Sequence, residues 1–387
     1  MNDKKPHVLL LIPNLGSGGA QRVFHQHREF LSKDFNVTSC VFNFDGAFAE
    51  EKNESILSLD IPAGNNIIEK VSHFFQRVRR LKKIKREYNI DLTVSHLEGA
   101  DYVNILSKQD DKLILWIHGT KLHDKDISGV VGWLRKNLML PWLYRRADRI
   151  VCVSQGIASE LKLMIPAAAQ KILAVRNGID VQTVQAKSME PLPGEWQSLL
   201  LNNFVIVTHC RFAPQKNLRS LIHIISKLND IDKLKFVLIG DGEQRNELIE
   251  LSKKLNVKLE ERIFFVGQQK NPFPWLRHSS LYVLTSLWEG FPLSLCEAIA
   301  CGLPVVVADC PTGPKEILDS VPAGVLMPLV HENSPAEIDA WANALRKIIN
   351  DREALDNYRK KATEGAGMFS DERTKRGTLT VIKNILA

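Results

Sequence analysis

Short apolar strands alternate with helical patterns along the whole chain, and this alternation constrains the fold more than any other feature. Residues 7–13 form an apolar run that leads through a glycine-rich turn into a helical pattern, and the same rhythm restarts at residues 204–208. Strands that alternate with helices predict parallel, doubly wound sheets. Because 387 residues are too many for one typical domain, we expect two α/β domains whose sheets face each other across a cleft.

Proline and glycine indicate where the two domains divide. Residues 184–196 contain Pro191 and Gly194 and separate the two strand-and-helix halves, which is typical of a boundary. We predict an N-terminal domain at residues 1–188, a linker at 189–200, a C-terminal domain at 201–365 and a helix at 366–387 that returns to the N-terminal domain.

The chain is basic, with a formal net charge of +7. This charge favours an anionic partner, and since no nucleic-acid motif is present we expect a lipid surface or a phosphorylated ligand and no nucleic acid. Residues 67–87 interleave apolar side chains with arginines and lysines, and residues 133–149 mix tryptophans with arginines. Each segment is either a packed helix with a solvated basic face or a patch that faces anionic headgroups.

The location of the protein is also predicted from composition. No apolar run approaches the roughly 20 residues of a membrane span. The apolar run at residues 8–12 is too short for a signal peptide. We therefore expect a cytoplasmic protein that is peripheral on the inner face of the cell membrane. The six cysteines are scattered without a CxxC pair, so we expect reduced core thiols rather than disulfides or metal ligands.

Two glutamates mark the most informative stretch, WEGFPLSLCEAIACGLPVVVADC. Glu289 and Glu297 have seven residues between them, Pro292 follows the first and Gly302 follows the apolar run that carries the second. Proline at the start and glycine past the end predict a short helix, with Glu289 in the loop before it and Glu297 about two turns inside it. Carboxylates accept hydrogen bonds from hydroxyls, and a helix N-terminus receives phosphate. The stretch therefore favours a ligand that is both a polyol and an anion.

Further polar residues follow other predicted strands, where parallel sheets place their ligands. Arg211 and Lys216 share one loop and together suit a diphosphate, although a single lysine is more often a surface residue. Gly240, Asp241 and Gly242 allow a close backbone approach. In the first half, His118 follows a strand. The Gly16, Gly18 and Gly19 turn is equally consistent with a ligand loop and with a tight structural turn.

These motifs together resemble the family 4 retaining glycosyltransferases of the GT-B fold, which has two Rossmann-like domains. The resemblance extends over almost the whole chain and is strongest at Glu289–Glu297, which matches the family's E-x7-E motif. The other matching segments are GSGGAQRV (16–23), WIHG (116–119), ADRIVCVS (147–154), RNGID (176–180), RFAPQKNL (211–218) and VLIGDG (237–242). The segment CPTGPKEIL (310–318) is similar to members that build bacterial surface glycans.

The resemblance implies roles for individual residues. Arg211 and Lys216 match the pair that binds the donor diphosphate, Glu297 the glutamate that binds the ribose, and Glu289 the glutamate near the transferred sugar. His118 matches a histidine close to the reacting centre of the acceptor-side domain. The remaining donor-side positions are Gly240, Asp241, Gly290, Phe291, Pro292 and Leu293, and the phosphate or acceptor loop is Gly16, Gly18 and Gly19. Gln21 departs from the glutamate that frequently follows this loop.

The implied function is transfer of a hexosyl or N-acetylhexosaminyl group from a nucleotide sugar, with a UDP-sugar favoured, to a saccharide or lipid-linked acceptor in bacterial surface glycan assembly. We expect retention of configuration and neither a metal ion nor another cofactor. A nucleotide-sugar epimerase or a glycan phosphorylase of the same fold is the alternative enzyme, and an inactive scaffold subunit is the non-enzymatic one. A dinucleotide dehydrogenase is disfavoured because the G-x-G-x-x-G fingerprint is missing.

Overall fold

The computed structural model describes residues 5–16, 18–44, 56–123, 129–192 and 194–387, without the side chain of residue 131. The chain forms two compact units. Unit 1 comprises Met1–Asn177 and Glu372–Ala387, and unit 2 comprises Gly178–Asp371. None of the helices described in the structure is long and apolar enough to cross a membrane.

Unit 1 is built on a parallel sheet with the strand order β3-β2-β1-β4-β5-β6-β7 among the described residues. The strands are β1 (His7–Ile12), β2 (Asn36–Val41), β3 (Ile56–Ser58), β4 (Leu92–His96), β5 (Lys112–Ile117), β6 (Arg149–Cys152) and β7 (Ile172–Ala174). The helices are α1 (Gly19–Leu31), α2 (Ile67–Glu87), α3 (Glu98–Leu106), α4 (Gly129–Leu134), α5 (Leu140–Tyr144) and α6 (Gln155–Met164). The central strands are apolar and fully buried because helices cover both faces of a parallel sheet.

Unit 2 repeats this architecture with the strand order β10-β9-β8-β11-β12-β13 among its described residues. The strands are β8 (Phe204–His209), β9 (Leu234–Ile239), β10 (Ile263–Gly267), β11 (Leu281–Leu284), β12 (Val305–Ala308) and β13 (Gly324–Met327). The helices are α7 (Val181–Ser188), α8 (Gly194–Asn202), α9 (Leu218–Ser226), α10 (Arg245–Lys254), α11 (Phe273–His278), α12 (Leu293–Ala300), α13 (Pro314–Ser320), α14 (Pro335–Ile349) and α15 (Arg352–Gly365). The prediction of two doubly wound α/β sheets is confirmed.

The boundary between the units differs from the predicted linker at residues 189–200. These residues belong to unit 2, and α8 occupies more than half of them. The Trp196 ring centroid lies 4.9 Å from that of Trp275 and 5.5 Å from that of Phe264, so the segment packs against unit 2 rather than bridging the units. Proline and glycine here mark a local turn before α8, and Pro193 lies outside the described residues.

The C-terminal helix, α16 (Asp371–Leu386), begins at the end of unit 2 and continues in unit 1. Thr374 Oγ1 donates a hydrogen bond of 2.7 Å to the carbonyl of Arg176, and Lys383 Nζ lies 3.2 Å from the carboxylate of Asp34. These contacts attach the last helix to the N-terminal sheet.

Candidate functional site

The loops that leave the carboxyl ends of the unit 2 strands carry the predicted donor-side residues. These loops are residues 210–217 after β8, 240–242 after β9, 285–292 after β11 and 309–313 after β12. Because β8 lies between β9 and β11, and β12 follows β11, the four loops meet along one edge of the sheet.

A buried ion pair lies at the centre of this edge. Lys216 Nζ is 2.6 Å from Glu289 Oε1, and Ser286 Oγ donates to the same oxygen at 2.7 Å. Burial lowers the pKa of Lys216, but the neighbouring Glu289 carboxylate and Cys210 outweigh this effect and hold it above its ordinary value. The Lys216 ammonium therefore stays protonated, and one of its three N–H donors is bonded to Glu289.

Hydrogen bonds to backbone carbonyls of neighbouring loops hold the turn that carries Lys216. Gln215 Nε2 donates to the carbonyl of Trp288 at 2.7 Å, and the amide of Leu287 donates to the carbonyl of Gln215 at 2.9 Å. Asn217 has a left-handed backbone (φ 53°), and its side-chain amide donates to the carbonyl of Val330 at 2.7 Å. Lys216 is thus the last residue of a short 3₁₀ segment, Pro214–Lys216, which a fixed turn at Asn217 joins to α9.

Gly240 and Gly242 allow other groups to lie close to the backbone, as predicted. The groups that lie there are carbonyl oxygens of the neighbouring loop. A Cβ at Gly240 (φ +136°) would stand 1.9 Å from the carbonyl oxygen of Cys210, and one at Gly242 would stand 2.4 Å from that of Phe212. The amide of Phe212 donates to the carbonyl of Asp241 at 2.8 Å, which joins the two loops. These glycines therefore shape the loop that carries Arg211.

Arg211 differs from Lys216 in its surroundings. Its side chain is exposed, and within the described ranges no carboxylate forms an ion pair with it. A guanidinium and an ammonium that share one loop have the charges and N–H donors that a diphosphate requires.

The second glutamate, Glu297, lies in α12, as predicted. It is less than the predicted two turns from the helix start, because the helix begins at Leu293. Glu297 is 2% exposed, and His209 Nδ1 lies 3.6 Å from its Oε2. Pro292 caps the helix, and a Cβ at Gly313 (φ +85°) would stand 2.8 Å from the Pro292 ring. The segment at residues 311–313 thus packs directly beneath the start of α12.

Three residues of this edge escape the sequence analysis: Ser286, His209 and Thr312. The hydroxyl of Thr312 donates to the carbonyl of Glu289, which ties the loop after β12 to the loop after β11. His209 and Ser286 directly follow the apolar runs at residues 204–208 and 281–285, and Thr312 belongs to the CPTGPKEIL segment. The sequence shows that these residues lie beside the predicted site, but it does not show which residues they contact.

The glycine loop of unit 1 leads into α1, with Gly18 as its cap and Gly19 as its first residue. Asn14 Oδ1 accepts hydrogen bonds from the amide of Gly16 at 3.3 Å and from Gln21 Nε2 at 3.1 Å. Ser17 lies outside the described residues. Gln21 therefore closes this loop, which is compatible both with a structural turn and with a ligand loop.

His118 follows β5 in unit 1 and contacts a second histidine. Its Nε2 lies 2.9 Å from Nδ1 of His96, the last residue of β4. Burial, then the nearby His27 and Lys121, lower the pKa of His118 to about 3. The imidazole is consequently neutral. Thus the structure brings Lys216, Glu289 and the loops of Arg211 and Gly240 together in unit 2, while His118 and the glycine loop lie in unit 1.

The chain contains Asp-x-Asp pairs, the pattern that holds a divalent cation in many phosphate-binding sites. Asp124 and Asp126 lie outside the described residues. Asp230 and Asp232 precede β9, at the end of the sheet opposite the donor-side loops, and Asp230 accepts from Arg346 at 2.5 and 2.6 Å. In the described part of the chain no group of three or more potential ligands is placed to hold a metal ion.

Two family models match the chain and divide it between them. The model described as Glycosyltransferase Family 4 matches residues 17–183, and the model described as Glycosyl transferases group 1 matches residues 196–365. The two matches correspond to most of unit 1 and most of unit 2, respectively.

Individual relatives agree with these matches. An uncharacterized glycosyltransferase, MJ1059 of Methanocaldococcus jannaschii, is 32% identical over 63% of this chain, and the chain spans 61% of that protein's length. The N-acetylgalactosamine-N,N'-diacetylbacillosaminyl-diphospho-undecaprenol 4-alpha-N-acetylgalactosaminyltransferase of Campylobacter jejuni is 26% identical over 96% of this chain and 97% of its own. The structure of Anabaena Alr3699/HepE in complex with UDP-glucose superposes with a TM-score of 0.76 at 19% identity, covering 98% of this chain and 99% of that one.

Proposed function

We propose that this chain, which belongs to the family 4 glycosyltransferases of the GT-B fold, moves an N-acetylhexosamine or hexose from a UDP-sugar to a lipid-linked saccharide in the assembly of bacterial surface glycans. The observation that carries the proposal is the buried Lys216–Glu289 pair beside the exposed Arg211. The name of the Campylobacter relative, which spans nearly this whole chain, supports a sugar donor and an undecaprenyl-diphosphate-linked acceptor of this class.

The proposed chemistry follows from the charges at this edge. The bond between the anomeric carbon and the diphosphate oxygen breaks, and a bond to the acceptor hydroxyl oxygen forms. Negative charge develops on the departing diphosphate, where Arg211, Lys216 and the N-terminus of α12 stabilise it. Glu297 accepts hydrogen bonds from the ribose hydroxyls, and Glu289 both orients Lys216 and faces the sugar. Two cations supply the charge that a metal ion would otherwise provide, so the reaction is proposed to be metal-independent.

Retention is proposed from the resemblance to the retaining family 4 enzymes, and same-face attack is proposed instead of a covalent intermediate because Glu289 is poorly suited to act as a nucleophile. One of its oxygens already accepts hydrogen bonds from Lys216 and Ser286, which stabilise the carboxylate and reduce its reactivity. The acceptor therefore attacks on the face that the diphosphate leaves, and the acceptor proton moves to a diphosphate oxygen. The proton NMR coupling of the product's anomeric proton tests this: retention predicts that donor and product share one anomeric configuration, and inversion would contradict it.

A screen of UDP- and GDP-sugars for thermal protection and for nucleotide release tests the donor class. We expect a UDP-sugar to raise the melting temperature more than the GDP-sugars do. Isomerisation of the UDP-sugar without an acceptor would instead identify the epimerase of the same fold.

Residues 129–144, called the docking segment below, are proposed to place the enzyme on the membrane. Their outer side exposes large apolar side chains, namely Val130, Trp133, Leu134, Leu138, Met139 and Trp142. Arg145 and Arg146 follow directly and are exposed, and the guanidinium of Arg146 lies 3.7 Å from the Trp142 ring centroid. Tryptophan beside arginine is typical of the interface between headgroups and acyl chains.

Buried polar contacts hold the inner side of the docking segment. Arg135 is 6% exposed and pairs with Glu98, and Tyr144 Oη donates to Asp101 Oδ2 at 2.8 Å. Because the inner side is anchored in this way, the apolar outer side cannot turn inward without breaking a buried ion pair, which is strongly unfavourable.

Helix α2, the other predicted membrane patch, is less suitable. Its exposed apolar residues, Ile67, Ile68, Val71 and Phe75, lie in its N-terminal half, while all its cations except Lys70 lie from Arg77 onward. Several of these cations contact their own unit: Arg77 donates to the carbonyl of Pro62 at 2.7 Å, and Lys85 pairs with Asp111 at 2.8 Å. The geometry thus favours a packed helix with a partly solvated basic face.

Vesicle sedimentation distinguishes the two surfaces. The W133E/L138E variant is expected to bind phosphatidylglycerol-containing vesicles about tenfold more weakly than the unmodified protein, because two interfacial apolar side chains become charged. The matched control, I67E/I68E, places two carboxylates on exposed positions of α2 and is expected to bind within about twofold of the unmodified protein. Equal binding by all three proteins would contradict membrane docking, and loss only in I67E/I68E would assign it to α2.

A further inference from the structure

The loop that follows β12 binds both polar backbone groups of Glu289. The hydroxyl of Thr312 donates a hydrogen bond to the carbonyl oxygen of Glu289, and the amide of Glu289 donates to the carbonyl oxygen of Pro311 at 3.3 Å. Glu289 is 5% exposed, so its backbone groups have little access to water and depend on such partners. The backbone of Glu289 is therefore held by a loop that lies 23 positions further along the chain at Thr312.

Thr312 makes this hydrogen bond from a strained backbone. Its φ is 62°, and among the non-glycine residues with positive φ in the described part of the chain it alone is β-branched. A β-branched residue rarely adopts this left-handed conformation, because its Cβ crowds the backbone. Glycine would adopt the same conformation without strain, but glycine has no hydroxyl. Strain of this kind persists only where the surrounding contacts hold it in place, and strained residues cluster at functional sites.

The chain of contacts that begins at Thr312 ends at Lys216. The carboxylate of Glu289, whose carbonyl Thr312 holds, accepts from Lys216 Nζ at 2.6 Å. The next residues along the two loops also touch, since a Cβ at Gly313 would stand 2.9 Å from the carbonyl oxygen of Gly290. A shift of the Glu289 backbone would therefore displace both the carboxylate and the ammonium that it contacts.

We propose that Thr312 is a positioning residue: its hydroxyl holds the backbone of Glu289 where the Glu289 carboxylate keeps the Lys216 ammonium in place for sugar transfer. The part played in sugar transfer rests on the proposed function, whereas the link from Thr312 to Lys216 does not. Threonine supplies the hydroxyl at a position where glycine would be less strained, so the loop is less stable than it could be and Glu289 is more firmly placed.

Three substitutions at Thr312 separate the hydroxyl from the strain. T312S keeps the hydroxyl, T312V keeps the branched shape without it, and T312G removes both the hydroxyl and the strain. We expect T312V and T312G to lower kcat about 10- to 100-fold, with the KM for the donor changed less than about threefold, and T312S to keep kcat within about threefold of the unmodified protein. T312G should nevertheless melt at a higher temperature than T312V, because glycine adopts a positive φ without strain.

The matched control is T380V, which removes a hydroxyl that donates to the carbonyl of Arg376 at 2.9 Å within α16 and should leave kcat unchanged. Equal kcat in T312V and T312S would overturn the positioning role. So would a T312G variant that regains activity together with its melting temperature, because stability alone would then explain the loss in T312V.

NMR of the lysine ammonium groups tests the link from Thr312 to Lys216 without enzyme turnover. The Lys216 signal is identified by its absence in K216M/E289Q. We expect the same Lys216 signal in the unmodified protein and in T312S, and a shifted or weakened signal in T312V. A Lys216 signal that T312V leaves unchanged would overturn the proposal. If the unmodified protein transfers no sugar, the proposed function is refuted, and the ammonium signal alone decides whether Thr312 positions Lys216.

Discussion

Replacing Lys216 with methionine is expected to lower kcat by about 10²- to 10³-fold, the usual effect of removing one donor that stabilises developing negative charge. Methionine keeps much of the length of the side chain but cannot donate to the departing diphosphate. The same change removes the only ion-pair partner that Glu289 has within the described ranges and leaves its buried carboxylate uncompensated. K216M alone therefore combines a catalytic loss with a loss of stability of roughly 3–5 kcal/mol.

The double variant K216M/E289Q separates these two effects. A neutral amide at position 289 removes the uncompensated charge and can still accept from Ser286, which lies 2.7 Å from the carboxylate oxygen. We expect thermal unfolding to recover most of the melting temperature lost in K216M, while kcat stays low. A double variant that regains kcat to within about tenfold of the unmodified enzyme would show that the ammonium does not stabilise the leaving group.

Alanine at Gly240 is expected to cause a loss of stability as large as that of K216M. The new Cβ would lie 1.9 Å from the carbonyl oxygen of Cys210, and both groups belong to the backbone of packed loops, so neither can rotate away. Steric overlap at a backbone with φ +136° is expected to reduce the free energy of unfolding by about 3–5 kcal/mol. For a unit of this size, that corresponds to a melting temperature lower by roughly 6–20 °C.

The same substitution should also weaken donor binding, because the displaced backbone carries Arg211. The control is G367A, where an added Cβ has no neighbour within 4 Å and the melting temperature should stay within a few degrees of the unmodified value. Calorimetric unfolding with and without UDP measures both effects. A G240A protein that melts like G367A and binds UDP normally would contradict the role assigned to this glycine.

The sequence was most informative where local patterns determine the structure. The predicted helix at residues 67–87 has the same bounds in the structure, because its apolar spacing is regular and Asn66 caps it by accepting from the amide of Glu69. Glu289 lies in a loop and Glu297 in a helix, as Pro292 and Gly302 predict. Local signals of this kind depend only on nearby residues.

Contacts between distant residues could not be predicted in the same way. Lys216 and Glu289 are 73 positions apart, and their pairing depends on β8 lying beside β11. The sequence predicts a close backbone approach at Gly240, but only the tertiary structure reveals that the carbonyl oxygen of Cys210 lies there. The predicted linker is part of unit 2 for the same reason, since Trp196 packs on residues far along the chain.

Acceptor-dependent release of UDP tests the central claim most directly. The unmodified enzyme and K216M/E289Q are each incubated with a UDP-N-acetylhexosamine, with and without undecaprenyl-diphosphate-linked saccharide. We predict that the unmodified enzyme releases UDP only when the acceptor is present, and that the double variant releases about 10²- to 10³-fold less per unit time. UDP release that needs no acceptor, or that is equal in the two proteins, would contradict a sugar-transfer site built on Lys216 and Glu289.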